Sequence, residues 1–315
     1  MEIAILGATS QIAKDLIRSL SSRSDLRLTL FARRTAVVEN WLMQSNLGDR
    51  HLVGDYSQFV ASNVEFDAVI NFVGSGNPAR TAAMGASILA VSNHYDELAL
   101  TYLLRQPACK YIHFSSGAVY GSGFYAPATD TTPAQFSINS LKPSDWYGLA
   151  KFHVECKHRV LDQFAIVDIR VFNYFSYSSD IDARFLITDM LRVVDSNDVF
   201  RTSKTNIYRD IAGPEQVAEL VSCILSTACI NTAIDCYTKL PIDKISLLKA
   251  MHANFGMNYE LIEENTGLYA TGSKIYYYST STKAKDIFGY DPAETSLGIV
   301  LQQAHQLLEI KRQKL

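Results

Sequence analysis

The chain has 315 residues, a formal net charge of -3 and 48% apolar residues, which suits one large or two modest domains with a substantial core. That charge balance leaves no basic excess for a nucleic-acid partner. No segment reaches the ~18 consecutive apolar residues of a membrane span, and the cysteines Cys109, Cys156, Cys223, Cys229 and Cys236 form no Cys-x-x-Cys pair, so reduced thiols in a cytoplasmic protein are expected.

No His-Glu-x-x-His occurs, and His153 and His158 stand five apart, off a shared helical face, so no metal is expected. The start, Met1-Glu2-Ile3-Ala4-Ile5-Leu6, reads as a strand and not as a signal peptide with a basic front. Ile3 to Leu6 is a short apolar run of the kind buried in a parallel sheet. Gly7-Ala8-Thr9-Ser10-Gln11-Ile12-Ala13 follows and leads into a helix predicted from about Gln11 to Ser21. Strand, tight turn and helix is the context in which free amides and a positive dipole end hold a pyrophosphate. Gly7, Thr9, Ser10, Gln11 and Ile12 are therefore candidate cofactor-binding residues, a plain strand-turn-helix being the alternative.

Leu26 to Ala32 reads as the second strand, ending in Arg33-Arg34. An acidic residue there would accept the ribose hydroxyls of NAD. A guanidinium instead pairs bidentately with the extra phosphate of NADP, so NADP is expected, with NAD as the alternative cofactor and a solvated basic pair as the reading without one. A third short strand precedes Gly54-Asp55-Tyr56. The fourth, Asp67 to Val73, closes on Asn71-Phe72-Val73-Gly74, and its small apolar end, Phe72 and Val73, is expected against the cofactor ribose. A long helical region lies between Arg80 and Arg105.

Tyr111-Ile112-His113-Phe114-Ser115-Ser116-Gly117-Ala118-Val119-Tyr120-Gly121 reads as a buried strand running into a polar, glycine-bearing loop. Residues Ser122 to Ser144 form a substrate-facing loop by their Pro, Thr, Ser and Gly content. Tyr147-Gly148-Leu149-Ala150-Lys151 opens an amphipathic helix that runs to about Phe164. Residues four apart on a helix share one face, so Tyr147 and Lys151 should stand side by side. A lysine cation about 4 Å from a phenol, at an effective dielectric near 20, favours the phenolate by roughly 4 kcal/mol. The pair would then exchange protons near neutrality, and Ser116 could hold the same reacting oxygen. Taken alone, Tyr-x-x-x-Lys also fits an ordinary surface pair.

Ala165 to Val171 is the next strand, giving Ile169-Arg170-Val171-Phe172-Asn173. From about Tyr174 the steady strand-helix alternation stops. A helix is predicted from Asp182 to Val194 and another from Gly213 to Thr227, after Tyr208-Arg209-Asp210-Ile211. Asn231 to Tyr237 is a strand, and Ile242 to Phe255 a helix with Gly256 as its C-cap. Tyr276-Tyr277-Tyr278 reads as strand and core.

The string Ser115-Ser116-Gly117-Ala118-Val119-Tyr120-Gly121 followed by Tyr147-x-x-x-Lys151 resembles the extended short-chain dehydrogenase/reductase family, the nucleotide-sugar epimerases, dehydratases and reductases. The resemblance covers nearly the whole chain. Ile169 to Asn173 is similar to the family's Arg-Pro-Phe-Asn string, Tyr208 to Ile211 to its Arg-Asp-Phe-Ile string, and Ser281 to Pro292 to its late Lys-Ala-x-x-x-Leu-Gly-Tyr-x-Pro string. The chain departs from the family at Gly-x-x-Gly-x-x-Gly, where only Gly7 matches and the small residues Ser10 and Ala13 fill the other places.

The resemblance implies an α/β fold: a Rossmann-type doubly wound parallel sheet over residues 1–173, with the helix at about 213–227 packing back on it, and a smaller C-terminal α/β substrate domain over 174–315. It implies Ser116, Tyr147 and Lys151 as the catalytic residues, with Tyr147 and Lys151 also against the cofactor and Ser116 against the substrate. It places Asp55 beside the adenine, Asn93 in the substrate site, and Asn173 and Arg209 at the substrate diphosphate. Each of these last three has a structural alternative: a solvent-facing Asn93, Asn173 capping a turn, Arg209 in an ion pair. A homodimer through the helix carrying Tyr147 and the preceding one follows by analogy.

Three reactions compete within the family. A 4,6-dehydratase carries an Asp-Glu pair after the catalytic Ser/Thr, where Gly117-Ala118 stand here, so dehydration is not expected. A nucleotide-sugar 4-epimerase with tightly bound NAD needs only the three catalytic residues but suits Arg33-Arg34 poorly. NADPH-dependent reduction of a 4-keto (deoxy)sugar nucleotide, with Tyr147 as general acid, suits both and is the expected activity. A non-catalytic NADP-binding regulator is the reading from another class, disfavoured by the intact Ser116, Tyr147 and Lys151.

Overall fold

The computed structural model describes residues 1–48, 50–74, 78–121, 124–263 and 274–313. Seven strands, β1 (Glu2–Leu6), β2 (Arg27–Phe31), β3 (Leu52–Gly54), β4 (Ala68–Asn71), β5 (Lys110–Ser116), β6 (Ile166–Val171) and β11 (Thr232–Cys236), form one parallel sheet in the order β11-β6-β5-β4-β1-β2-β3. All four residues of β4 and the last four of β1 are buried. This is the signature of strands covered on both faces, and it explains why they read as unbroken apolar runs and not as alternating ones.

The covering helices follow from the connections. On one face, α1 (Gln11–Leu20) and α8 (Pro214–Ser226) bury Leu16, Ile17, Leu20, Val217 and Leu220 with Ile3, Ile5, Ile70 and Ile112. On the other, α5 (Ser87–Arg105) buries Ala99, Leu100, Tyr102 and Leu103 with Ala4, Leu6, Val69 and Tyr111; α6 (Trp146–Val160) lies beside it. α2 (Thr35–Gln44), α3 (Tyr56–Val60) and α4 (Pro78–Met84) complete this half. The chain leaves β1 for β2 on one side, and β4 pairs with β1 on the other. That reversal of winding opens a crevice at the carboxyl ends of the strands, the place where such sheets take a ligand.

The second half is built from short pairings. β7 (Asn173–Tyr174) pairs with β10 (Ile211–Ala212), β8 (Val199–Ser203) with β13 (Asn258–Ile262), and β9 (Tyr208–Arg209) lies between β12 (Ile242–Asp243) and β14 (Tyr276–Tyr277). With α7 (Leu186–Ser196), α9 (Lys244–Phe255) and α11 (Ser296–Gln313) they close a second core around Phe175, Met190, Leu191, Leu248, Met251 and Val300.

The halves are not successive in sequence. β11 joins the first sheet, and Ile234, Cys236 and, around α10 (Lys283–Phe288), Phe288 and Tyr290 belong to the same core as Ile3. The nucleotide half therefore draws on the chain well past residue 173. The helix predicted from Asp182 begins only at Leu186, after a turn in which Asp180 accepts the amide of Asp182 at 3.0 Å. Ile242 pairs as a strand residue; α9 starts behind Asp243, whose carboxylate accepts the Ser246 amide, and ends on Gly256 at φ +67° as expected.

A buried carboxylate joins the halves. Asp15 of α1 accepts from Tyr174 Oη at 2.8 Å, Ser176 Oγ at 2.7 Å and Ser178 Oγ at 2.5 Å. The five cysteines are free, and no helix among the described residues is long and apolar enough to cross a membrane.

Candidate active site

β5 ends at Ser116, and a single turn of 3-10 helix, Gly117–Tyr120, follows it. Ser116 caps that turn, its Oγ accepting the Ala118 amide at 3.2 Å. Two glycines allow the crowding here. A Cβ on Gly117 would meet the Phe172 ring at 2.4 Å, and one on Gly148 would meet the Ala118 carbonyl oxygen at 2.5 Å. The bare Gly148 lets the first turn of α6 settle directly on the turn after β5, and this brings Tyr147 near enough for Ser116 to act on its phenol.

One helical turn later, buried Lys151 donates to the Phe114 carbonyl at 2.7 Å and lies 3.3 Å from His113 Nε2. Its ammonium sits where β4 runs out: a Cβ on Gly74, at φ +150°, would lie 3.4 Å from Nζ. Ser116 thus ends β5, and Tyr147 and Lys151 stand one turn apart on α6, with Lys151 under the end of β4.

The electrostatics differ from the prediction. Burial lowers the Lys151 pKa to about 8 against the pull of Asp168, Asp96 and Glu155. Burial also raises Tyr147, with the Ser116 hydrogen bond pulling the other way. The lysine directs its hydrogen bonds to Phe114 and His113, so burial moves the two groups in opposite directions, the phenol up and the ammonium down.

Tyr277 was read as core and is more than that. It is buried, yet its Oη comes within 3.4 Å of Ser116 Oγ. Two cations attend it: the Arg209 guanidinium 5.8 Å from the ring centroid and Lys274 Nζ at 4.7 Å from this ring and from that of Phe124. Burial lowers Arg209 to about 10 and Lys274 to about 8. Arg209 donates to the carbonyls of Tyr208 and Ile275. No local signal in the sequence ties Tyr277 to Ser116, 161 positions away.

The remaining candidates divide. Asn173, at the strand end, donates its amide to the Asp210 carbonyl at 2.9 Å, a tie between β7 and the β9–β10 segment and not a turn cap. Asn93 is placed away from the tyrosine: its Oδ1 accepts from Lys157 Nζ at 2.8 Å, across the face between α5 and α6, because Asp96 and Glu97 gather that lysine there. Asp55 caps α3, its Oδ1 accepting from Gln58 N and Ser57 Oγ, at the end of β3. Phe72 turns into the core and stacks on Phe114 at 4.0 Å, while the Val73 amide is taken by Asn71.

At the cofactor end, Gly7 adopts φ +79°, and a Cβ there would stand 3.0 Å from the backbone of Phe72 and Val73. Only glycine fits the turn that brings β1 so close to the end of β4. Ser10 occupies the N-cap of α1 without a side-chain bond to its amides, and Thr9 is exposed beside it. An open helix N-terminus over a glycine turn fits a dinucleotide pyrophosphate. Ile12 packs partly on the core, and the Gln11 amide is held by Asp15 and Ser178. Arg33 and Arg34 are both exposed where β2 ends, in no ion pair among the described residues.

The model of the NAD dependent epimerase/dehydratase family matches residues 3–229 of this chain. A curated relative, UDP-glucose 4-epimerase 2 of Oryza sativa subsp. japonica, is 30% identical over 183 residues, a match covering 49% of this chain and 42% of that protein. Similar solved structures include the UDP-glucose 4-epimerase of Thermotoga maritima with UDP-glucose, at TM-score 0.80 and 14% identity over 99% of this chain and 100% of that one. The UDP-glucuronic acid 4-epimerase of Bacillus cereus with UDP-glucuronic acid and NAD has TM-score 0.77 and 14% identity over 98% and 100% of the two chains. The dTDP-glucose 4,6-dehydratase of Bacillus anthracis in complex with NAD has TM-score 0.76 and 13% identity over 99% and 98%. At these identities the structural likeness speaks for the fold.

Proposed function

Since the chain belongs to the NAD dependent epimerase/dehydratase family, we propose that it reduces a 4-keto (deoxy)sugar nucleotide with NADPH. The observation that carries the choice of reduction is the exposed Arg33-Arg34 at the end of β2, in no ion pair among the described residues, at the place where a dinucleotide's adenosine ribose is read in this fold and where guanidinium groups favour a phosphate. Dehydration is disfavoured, because the site of its first extra carboxylate is Gly117, packed under Phe172 with no room for a side chain.

Gly7, the open amides of α1 and the two arginines would hold the cofactor, which supplies a hydride when bound. The rest is the work of the chain's own groups. Tyr147, protonated through neutrality because burial raises it, gives its proton to the carbonyl oxygen. The Ser116 hydroxyl holds that oxygen as charge develops on it. Buried Lys151 stabilises the phenolate left behind. Arg209 and Asn173 remain the proposed contacts of the diphosphate, and Asp55 that of the adenine.

The second reading is a nucleotide-sugar 4-epimerase with tightly held NAD. It is supported by the related proteins named 4-epimerases, two of which are similar only in fold. Incubation with a set of 4-keto-6-deoxy sugar nucleotides and NADPH separates the two. Loss of NADPH absorbance with at least one substrate is expected; none across the set counts against reduction. Mass spectrometry of the co-purifying nucleotide gives a second test, NADP supporting the reductase and NAD the epimerase. A homodimer through α5 and α6 belongs to the same proposal and would appear as twice the chain mass in light scattering.

A further inference from the structure

Behind Lys151 lies a row of buried charges that none of the steps above uses. His113 on β5 faces the lysine with Nε2 at 3.3 Å and Asp168 on β6 with Nδ1 at 2.7 Å. The same Asp168 Oδ1 meets His158 Nδ1 on α6 at 2.8 Å, and His158 Nε2 meets Asp96 Oδ1 on α5 at 2.8 Å. Asp96 Oδ2 in turn takes Lys157 Nζ at 2.7 Å, where the side chain is 22% exposed against 1% for Asp96. The contacts run unbroken from the crevice to the α5–α6 surface.

Such a row is expensive to bury, and apolar side chains at these positions would hold the sheet against its helices as well or better. Its separations of 2.7 and 2.8 Å between imidazole nitrogen and carboxylate oxygen are hydrogen-bond lengths, and Arg159 Nη2 adds a third donor to Asp168 at 2.7 Å. The cluster of His113, His158 and Asp168 is therefore a hydrogen-bonded chain and not a metal centre.

We propose that His113 and the Asp168–His158–Asp96 row behind it are positioning residues for Lys151, holding its ammonium at the crevice and setting how readily it loses its proton. The proposal rests on the catalytic reading of Lys151 given above. Asp168 claims the Nδ1 proton of His113, which leaves the Nε2 lone pair facing the lysine as an acceptor. Burial, then the lysine's charge, lowers His113 to about 4 and keeps it neutral. Against burial, Asp168 and Asp96 hold His158 up to about 9, an imidazolium. The buried charges then alternate, Lys151 and His158 positive, Asp168 and Asp96 negative, and cancel.

The other charged or titratable neighbours are Glu155 on α6, tied to Ser115 and Arg170; Lys157 on Asp96; Arg159 on Asp168; and the Tyr111 phenol, which donates to Asp96 at 2.9 Å. The two histidines consequently act on the lysine with opposite sign. Removing the neutral acceptor at position 113 favours the uncharged amine. Removing the cation at position 158 unmasks more of the charge of Asp168 and Asp96, which already hold the lysine's proton from a distance, and favours the ammonium.

The test is the pH profile of kcat/KM for the wild type, His113→Phe and His158→Gln. The alkaline limb is expected to move to lower pH in the first and to higher pH in the second, each by about one unit. Equal loss of activity in both with the limb unmoved would mean a merely structural role and overturn the proposal. Ring nitrogen NMR of the free wild-type chain at neutral pH needs neither variant nor substrate. It should show His113 neutral with its proton on Nδ1 and His158 doubly protonated; a cationic His113 or a neutral His158 overturns the row. If no substrate turns over while the ring nitrogens read as stated, the reductase assignment has failed and the row has not.

Discussion

A phenol that keeps its proton is the natural acid for a carbonyl becoming an alcohol, and at the scale of single residues Tyr147 carries the proposed chemistry. Tyr147→Phe should lower turnover by on the order of 10²- to 10⁴-fold with the fold kept, checked by single-turnover rates beside an unchanged circular dichroism spectrum; near-wild-type turnover would remove its role. In the proposed reading Arg33 and Arg34 carry the cofactor preference. The wild type should bind NADPH more tightly than NADH, and replacing both arginines with alanine should weaken NADPH by about tenfold or more while leaving NADH nearly unchanged, as read by fluorescence titration. Equal affinities in the wild type would defeat the assignment. The placing of Ser116 at a strand end and of Tyr147 and Lys151 one turn apart on one helix was legible, because both are local facts. The direction of the tyrosine's shift was not, since it depends on burial, and neither was Tyr277, whose approach to Ser116 spans 161 positions.

At the scale of elements, the site exists because α6 lies almost in contact with the turn after β5. Gly148 sets that spacing by lacking a side chain that would meet the Ala118 carbonyl, and the bare Gly117 lets Phe172 close on the same turn. Gly117→Ala should therefore destabilise the protein by roughly 1–3 kcal/mol, as overpacking does in a filled core, measured as a lower midpoint in denaturant; an unchanged midpoint would show that Phe172 gives way freely. The strands of the sheet could be read as apolar runs, and α1, α6, α8 and α9 as helices, to within a few residues, whereas α2 and α11 were not read. The later part resisted, because strands of two residues such as β9, β12 and β14 carry no period and owe their pairing to tertiary contacts.

At the scale of the whole molecule, the buried row couples stability to pH. His158 is held above its ordinary 6.5 at about 9, so the folded state binds a proton that the unfolded chain releases between those values. Its contribution, on the order of 3 kcal/mol for such a shift, is complete below about pH 6.5 and is lost as pH rises through 9. Thermal melts of the wild type and His158→Gln should differ most near pH 6 and draw together toward pH 10; a gap independent of pH would show that the imidazole is uncharged. The overall α/β class and the parallel sheet followed from the family resemblance, in keeping with the alternation of runs, whereas the return of β11 and α10 to the first core was hidden by the change of character after Tyr174. The carboxylate of Asp15, satisfied by Tyr174, Ser176 and Ser178, makes the front half a poor candidate for grafting. A fragment stopped at residue 173 would keep the Arg18 and Gln11 partners of Asp15 but lose its three hydroxyl donors together with the share of the first core that α8 and β11 supply, so the nucleotide-binding half is not a portable module.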